Sequence, residues 1–225
     1  MIPKIINYDD LMSDKDSKKH ILKNNPLLGL ENPCRVAIIG ASNTGKSNIL
    51  TFMLDFMLDY SHLYIIAPTI DQDKYDKIAR SSESRNIVIT NSMDDINIDD
   101  FDGKKNGATY AVIFDDMIHE GKNDEIGKFF SFGRHKSISV FILSQRFHGI
   151  PLIARLNCSA YIVFRLGSAR QIQLLRDDIC ADDLTKEEFK KIYNSCCKKH
   201  DFLYINKTKE NKEDIYKKNL FEPVF

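Results

Sequence analysis

Long apolar runs are missing from this chain: no stretch approaches the ~18 residues that a membrane-spanning helix requires, so no membrane insertion is expected. The first residues, Met1-Ile2-Pro3-Lys4, lack the apolar stretch of a signal peptide, which points to a protein that is cytosolic or delivered from the cytosol. Net charge is missing too. With 32 basic and 32 acidic residues the formal charge is zero, so no global field draws the protein onto nucleic acid and any such contact has to be local. The five cysteines are odd in number and show no CxxC spacing, which argues against a disulfide framework and for a reducing compartment. Cys196, Cys197 and His200 are close in sequence, but the thiols are adjacent and no second ligand pair stands at zinc spacing, so a metal site is not expected there. The lysine-rich stretch from Lys186 to Lys218 is interrupted by Glu187, Glu188, Glu210, Glu213 and Asp214, and reads as solvated surface. No internal repeat is present.

What is there is a globular composition, 43% hydrophobic and 28% charged over 225 residues, enough for one substantial core. Residues 1–31 are polar and charged around Asp14 to Lys19 and read as an N-terminal arm. From Arg35 onward, short β-type apolar runs alternate with helical patterns, the signature of an α/β domain (32–206) with a mostly parallel sheet covered by helices on both faces. Strands are expected at Arg35 to Ile39, Leu63 to Ala67, Asn86 to Thr90, Thr109 to Asp115, Ile138 to Ser144, Tyr161 to Leu166 and Phe202 to Ile205. A helix from Lys46 to about Leu58 is apolar on most faces; a second, Asp124 to Phe132, puts Ile126, Phe129, Phe130 and Gly133 on one stripe. Ser168 to Gln171 and Thr185 to Glu188 each read as a capping box. Residues 207–225 are expected as a C-terminal tail whose apolar end, Leu220 to Phe225, docks on the domain or on a neighbour.

The chemistry begins at Gly40-Ala41-Ser42-Asn43-Thr44-Gly45-Lys46-Ser47, which fits the Walker A pattern between a strand and a helix. Its glycines let the backbone turn and aim N–H groups at phosphates, with the N-terminus of the following helix adding partial positive charge, and the nucleotide-binding run is expected to extend to Asn48. Lys46 would reach the β- and γ-phosphates of ATP, and Ser47 would offer a hydroxyl to Mg2+. Further on, Tyr110-Ala111-Val112-Ile113-Phe114-Asp115-Asp116 is a buried-strand run ending in two acids: Asp115 to support Mg2+, Asp116 to orient or deprotonate the attacking water. The strand Ser139 to Leu143 leads into Gln145, an amide able to bond both γ-phosphate and water. Arg134, just before that strand, is the arginine expected to meet transition-state charge, although a surface or salt-bridge role fits it equally.

The run from Gly133 to Pro151, continued through Asn157 to Arg165 and Gln173-Leu174-Leu175, resembles the genome-packaging ATPases of poxviruses, giant viruses and virophages, within the HerA/FtsK superfamily. The resemblance spans roughly residues 33–206. It implies a RecA-like P-loop NTPase sheet with an additional strand between the P-loop and Walker B strands. It also implies assembly into a homo-oligomeric ring, a pentamer or hexamer, that drives double-stranded DNA into a preformed capsid, with capsid or portal-vertex proteins as partners. The setting it implies is the host cytoplasm, at the viral factory, and the virion. By position, Lys46 and Ser47 would bind phosphate and magnesium, Asp115 would be the Walker B acid, Gln145 the sensor and Arg134 an arginine finger. Many cellular relatives place Glu after the Walker B Asp, whereas this chain has Asp116, one methylene shorter; Glu120 is the alternative acid.

Other readings fit less well. A P-loop nucleotide kinase should carry an arginine-rich lid, which is not evident, and a GTPase an Asn-Lys-x-Asp motif, to which Asn206-Lys207-Thr208-Lys209 does not conform. A two-domain helicase needs a second RecA unit. A structural protein with a relic P-loop would not need Lys46, Ser47, Asp115 and Gln145 together. A cellular or plasmid HerA/FtsK-type DNA pump would share fold and mechanism.

Overall fold

The computed structural model describes residues 29–56, 58, 60–70, 75, 78, 86–117 and 123–225, so the arm expected at 1–31 lies outside it except for its last three residues, and so does Glu120. Among the described residues nine strands form one sheet in the order β3-β2-β4-β5-β1-β6-β7-β8-β9. They are β1 (Arg35–Ile39), β2 (His62–Ile66), β3 (Asn86–Thr90), β4 (Tyr110–Asp115), β5 (Ile138–Ser144), β6 (Ala160–Val163), β7 (Leu203–Asn206), β8 (Tyr216–Lys218) and β9 (Glu222–Pro223). Pairing is parallel from β3 through β6 and antiparallel from β6 to β9. Every residue of β4 and β5 is buried, as continuous apolar runs in a parallel sheet covered on both faces should be. At the edge, β3 is more open, with Asn86 and Val88 exposed.

Side chains alternate between two cores. Val36, Ile38, Ile113, Phe141 and Leu143 face α1 (Lys46–Phe56), whose Ile49, Leu50, Phe52, Met53 and Leu54 are all buried. Ala37, Ile39, Phe114, Val140 and Ile142 face the opposite layer. There α2 (Asn123–Phe132) contributes Ile126, Phe129 and Phe130, and α5 (Lys186–Cys196) contributes Phe189, Ile192 and Tyr193. Between them in sequence lie α3 (Leu152–Asn157) and α4 (Ala169–Leu175). Burying a large aliphatic or aromatic side chain is worth about 1.5–3 kcal/mol, so two such layers give the sheet its hold. Thr185 and Glu188 form the reciprocal capping box expected for α5. Ser168 caps α4 through the Gln171 amide, but the Gln171 side chain turns away to accept from the Phe147 N–H, so the second half of that box is replaced by a tertiary bond.

Residues 207–225, read from sequence as a tail, instead extend the sheet through β8 and β9. Leu220 and Phe221 are buried in the core on the α1 side. The Tyr216 hydroxyl reaches Asp183 at 3.0 Å and the Asn219 side chain bonds both the Phe202 N–H and the Asp201 carboxylate. These tertiary bonds hold a segment too polar to announce itself as strand.

Candidate active site

Because β1, β4, β5 and β6 run the same way, their C-terminal ends share one edge of the sheet. Register aligns Ile39 with Ser144 and with Val163, and Leu143 with Asp115. The Walker A loop leaves this edge. Its Gly40 N–H donates to Ser144 O at 3.1 Å and its Ala41 N–H to Arg165 O at 2.9 Å, which pins the start of the loop to both neighbouring strands. Asn43 and Gly45 have positive φ, 59° and 107°; asparagine tolerates that region and glycine enters it without strain. Gly40 is required for a different reason: a Cβ there would stand 2.5 Å from Phe164 Cβ and 2.8 Å from Thr44 Oγ1. Thr44 is buried and donates to Ala41 O, Ser42 is exposed, and Lys46 Nζ donates to Gly40 O and Ala41 O at 2.9 and 3.0 Å. Ser47 and Asn48 follow, half-buried, in the first turn of α1.

Asp115 ends β4 on the α1 side of the sheet, 8% exposed, and accepts at Oδ2 from the Tyr75 hydroxyl at 2.7 Å. Burial, with the Asp115 charge next in size, pushes the Tyr75 phenol well above the ordinary range. Asp116 adopts φ 59° and its N–H donates to Leu143 O, so the chain turns at once and presents its carboxylate at the edge. Gln145, exposed at the end of β5, donates from Nε2 to Asp116 Oδ2 at 2.8 Å. Two residues singled out separately in sequence are therefore hydrogen-bonded partners. A serine hydroxyl and a carboxylate on the same face and edge are a donor set suited to Mg2+, a hard cation that takes oxygen ligands, and Ser47 and Asp115 meet that description.

Arg134 is not part of this cluster. It lies exposed in the turn Gly133–Lys136 that precedes β5, at the opposite edge, where Lys136 bonds Phe101 O and Tyr110 N bonds Ser137 O. Seven strand residues separate the two edges, about 20 Å at a strand's rise. Arg146 and Arg165 are exposed on the P-loop edge, while Arg155 is held by Asp178 and lies 5.0 Å from the Phe147 ring.

Sequence reasoning missed three neighbours of the site. Tyr75 is one. Phe164 is another, its side chain against Gly40 and Gly45 and its ring tilted against that of Phe202, with centroids 4.9 Å apart. His200, considered for a metal, instead has Nδ1 3.4 Å from Thr44 O, while the Cys197 thiol donates to Val163 O. All five cysteines are buried free thiols, and burial pushes those of Cys34, Cys158 and Cys197 up to about 12.

One strand, β5, separates the loop-bearing β1 from the acid-tipped β4, and that order makes the fold a P-loop NTPase of the additional-strand, RecA-like class. The chain belongs to the poxvirus A32 protein family, whose model matches residues 19–205. It is 26% identical over 159 residues to the DNA packaging protein OPG160 of Variola virus, a match covering 65% of this chain and 58% of that protein. The chain thus spans under two thirds of the relatives it matches. Among solved structures, the genome packaging NTPase B204 of Sulfolobus turreted icosahedral virus 2 in complex with AMP has TM-score 0.60 at 16% identity, covering 87% of this chain and all of that one. The cytoplasmic domain of the type VII secretion ATPase EccC of Thermomonospora curvata has TM-score 0.53 at 13% identity, covering 86% of this chain and 26% of that one. Both share the fold. Among the described residues no helix is long and apolar enough to cross a membrane.

Proposed function

We propose that this chain is the ATP-hydrolysing motor that drives double-stranded viral DNA into capsids, acting in the host cytoplasm with capsid or portal-vertex proteins as partners. The observation that carries the reading is the Gln145–Asp116 hydrogen bond at the mouth of a complete Walker A loop, in a member of a family that includes DNA packaging proteins. In this reading the loop from Gly40 to Asn48 cradles ATP, Lys46 clamps the outer phosphates, and Ser47 and Asp115 hold Mg2+, which supplies charge neutralisation at the phosphates. Asp116 accepts the proton of the attacking water, and Gln145 holds that carboxylate and contacts the γ-phosphate. Arg134, about 20 Å from its own loop, acts on the nucleotide of a neighbouring subunit in a pentameric or hexameric ring. Phe132, Leu152, Ile153 and Leu156, exposed on α2 and α3 of the same layer, supply apolar surface for that second copy.

The test is the ATP hydrolysis rate with and without duplex DNA. A motor is stimulated by DNA; a rate indifferent to duplex DNA, or phosphoryl transfer to a nucleotide acceptor, would reject the reading.

A further inference from the structure

Tyr75 is 1% exposed and its ring belongs to the core layer that contains Ile78, Leu63, Ile65 and the buried face of α1. Its hydroxyl meets a charge: it donates to Asp115 Oδ2 at 2.7 Å, across a sequence separation of 40 residues. A buried phenol has to find an acceptor, but any backbone carbonyl would satisfy it. Here the partner is the acid at the tip of β4, itself 8% exposed, so water competes little for the bond. A carboxylate at the end of a strand can rotate about its last bond, and a donor anchored in packed apolar surroundings removes that freedom.

We propose that Tyr75 is a positioning residue: it fixes the rotation of the Asp115 carboxylate, committing Oδ2 to the phenol and so determining which oxygen serves magnesium. This rests on the reading of Asp115 as the magnesium-side acid. It makes one hydroxyl, contributed from between β2 and β3, part of the metal site. Removing it leaves the P-loop and its nucleotide contacts in place and loosens only the metal's support.

Tyr75→Phe keeps the buried ring and deletes the hydroxyl. Mn2+ affinity, measured by electron paramagnetic resonance with the protein and a non-hydrolysable ATP analogue, should weaken by roughly tenfold, the scale for losing a hydrogen bond to a charged acceptor. Affinity for the analogue without metal should stay within twofold, and kcat should fall while KM for ATP holds. Ile78→Val, a packing change in the same core layer, should leave Mn2+ affinity unchanged. Parental Mn2+ affinity in Tyr75→Phe would overturn the proposal, as would an equal loss in Ile78→Val, which would assign the effect to packing. Asp115→Asn separates the two levels: parental Mn2+ affinity there would reject the magnesium role of Asp115 itself, whatever Tyr75 does.

Discussion

If Gln145 acts in part by holding Asp116, that part of the cost of its removal should appear only while Asp116 is present. The bond between them is 2.8 Å long and joins an exposed amide to a half-buried carboxylate, so its worth sits near the ordinary range of about 0.5–1.5 kcal/mol. Expressed in the barrier, that is roughly a twofold to tenfold loss of turnover for Gln145→Ala. Stability should change by less than about 0.5 kcal/mol, as for other exposed substitutions. Asp116 needs a partner substitution that does not strain the backbone. Glycine is the right choice because Asp116 has φ 59°, a region in which alanine would cost about 1–2 kcal/mol and glycine almost nothing. Asp116→Gly should cost a general base's share, about 10²–10⁴ in rate. In the double variant, the share of the Gln145→Ala loss that passes through Asp116 should vanish, leaving only what Gln145 supplies at the γ-phosphate. The assay is steady-state ATP hydrolysis across a duplex DNA titration, alongside fluorescent ATP-analogue binding, which Gln145→Ala should leave unchanged. If Gln145→Ala costs the same factor in the Asp116→Gly background as in the parent, the two residues act independently. An undiminished DNA-stimulation curve in Gln145→Ala alone would remove Gln145 from coupling altogether.

Other outcomes follow from the same geometry. Lys46→Ala and Asp115→Ala should each abolish ATP hydrolysis yet fold, checked by phosphate release and circular dichroism; parental hydrolysis in either folded variant would refute its assigned role. Gly40→Ala should destabilise the protein by about 1–3 kcal/mol, as overpacking does, because the new methyl meets Phe164 Cβ at 2.5 Å; urea denaturation would read the loss. Arg134→Ala subunits mixed with Lys46→Ala subunits should regain part of the hydrolysis rate, and no recovery in demonstrably mixed rings would end the trans assignment. The thiols of Cys34, Cys158 and Cys197 are raised to about 12 when folded. Their contribution is therefore intact below pH ~8.5, the unfolded value, and is lost as pH climbs toward 12, by up to ~1.4 kcal/mol per pH unit for each thiol. Denaturation midpoints across pH 8 to 11 would show the decline, or its absence.

The strands from β1 to β7 were legible because a parallel sheet covered on both faces needs short unbroken apolar runs, and each run stands out between helical patterns. The Walker A loop was legible because its pattern is contiguous, eight residues from Gly40 to Ser47 with Gly45 at φ 107°, although part of the reason for Gly40 is tertiary: it lies against Phe164. Arg134 was expected as an arginine finger from its place just before β5, and the structure puts it at the end of that strand remote from its own loop. Strand direction, not proximity, decides such a case. Tyr75 and Asp115 meet across 40 residues, and a lone tyrosine amid polar neighbours has no pattern to announce its partner. The segment Tyr216–Lys218 is mostly polar and forms a strand only because β7 offers it an edge, a condition no local propensity expresses.

The loop's dependence on Phe164, Phe202 and His200 bears on how the protein comes into being. Thr44 belongs to the first quarter of the chain, and His200, the residue against its carbonyl, is synthesised 156 positions later. Phe202, on which Phe164 rests, is tied in turn to Asn219. During synthesis the loop at Gly40 to Ser47 therefore emerges well ahead of the side chains that pack against it. The proposed phosphate loop gains this wall only once the residues through Asn219 have been made.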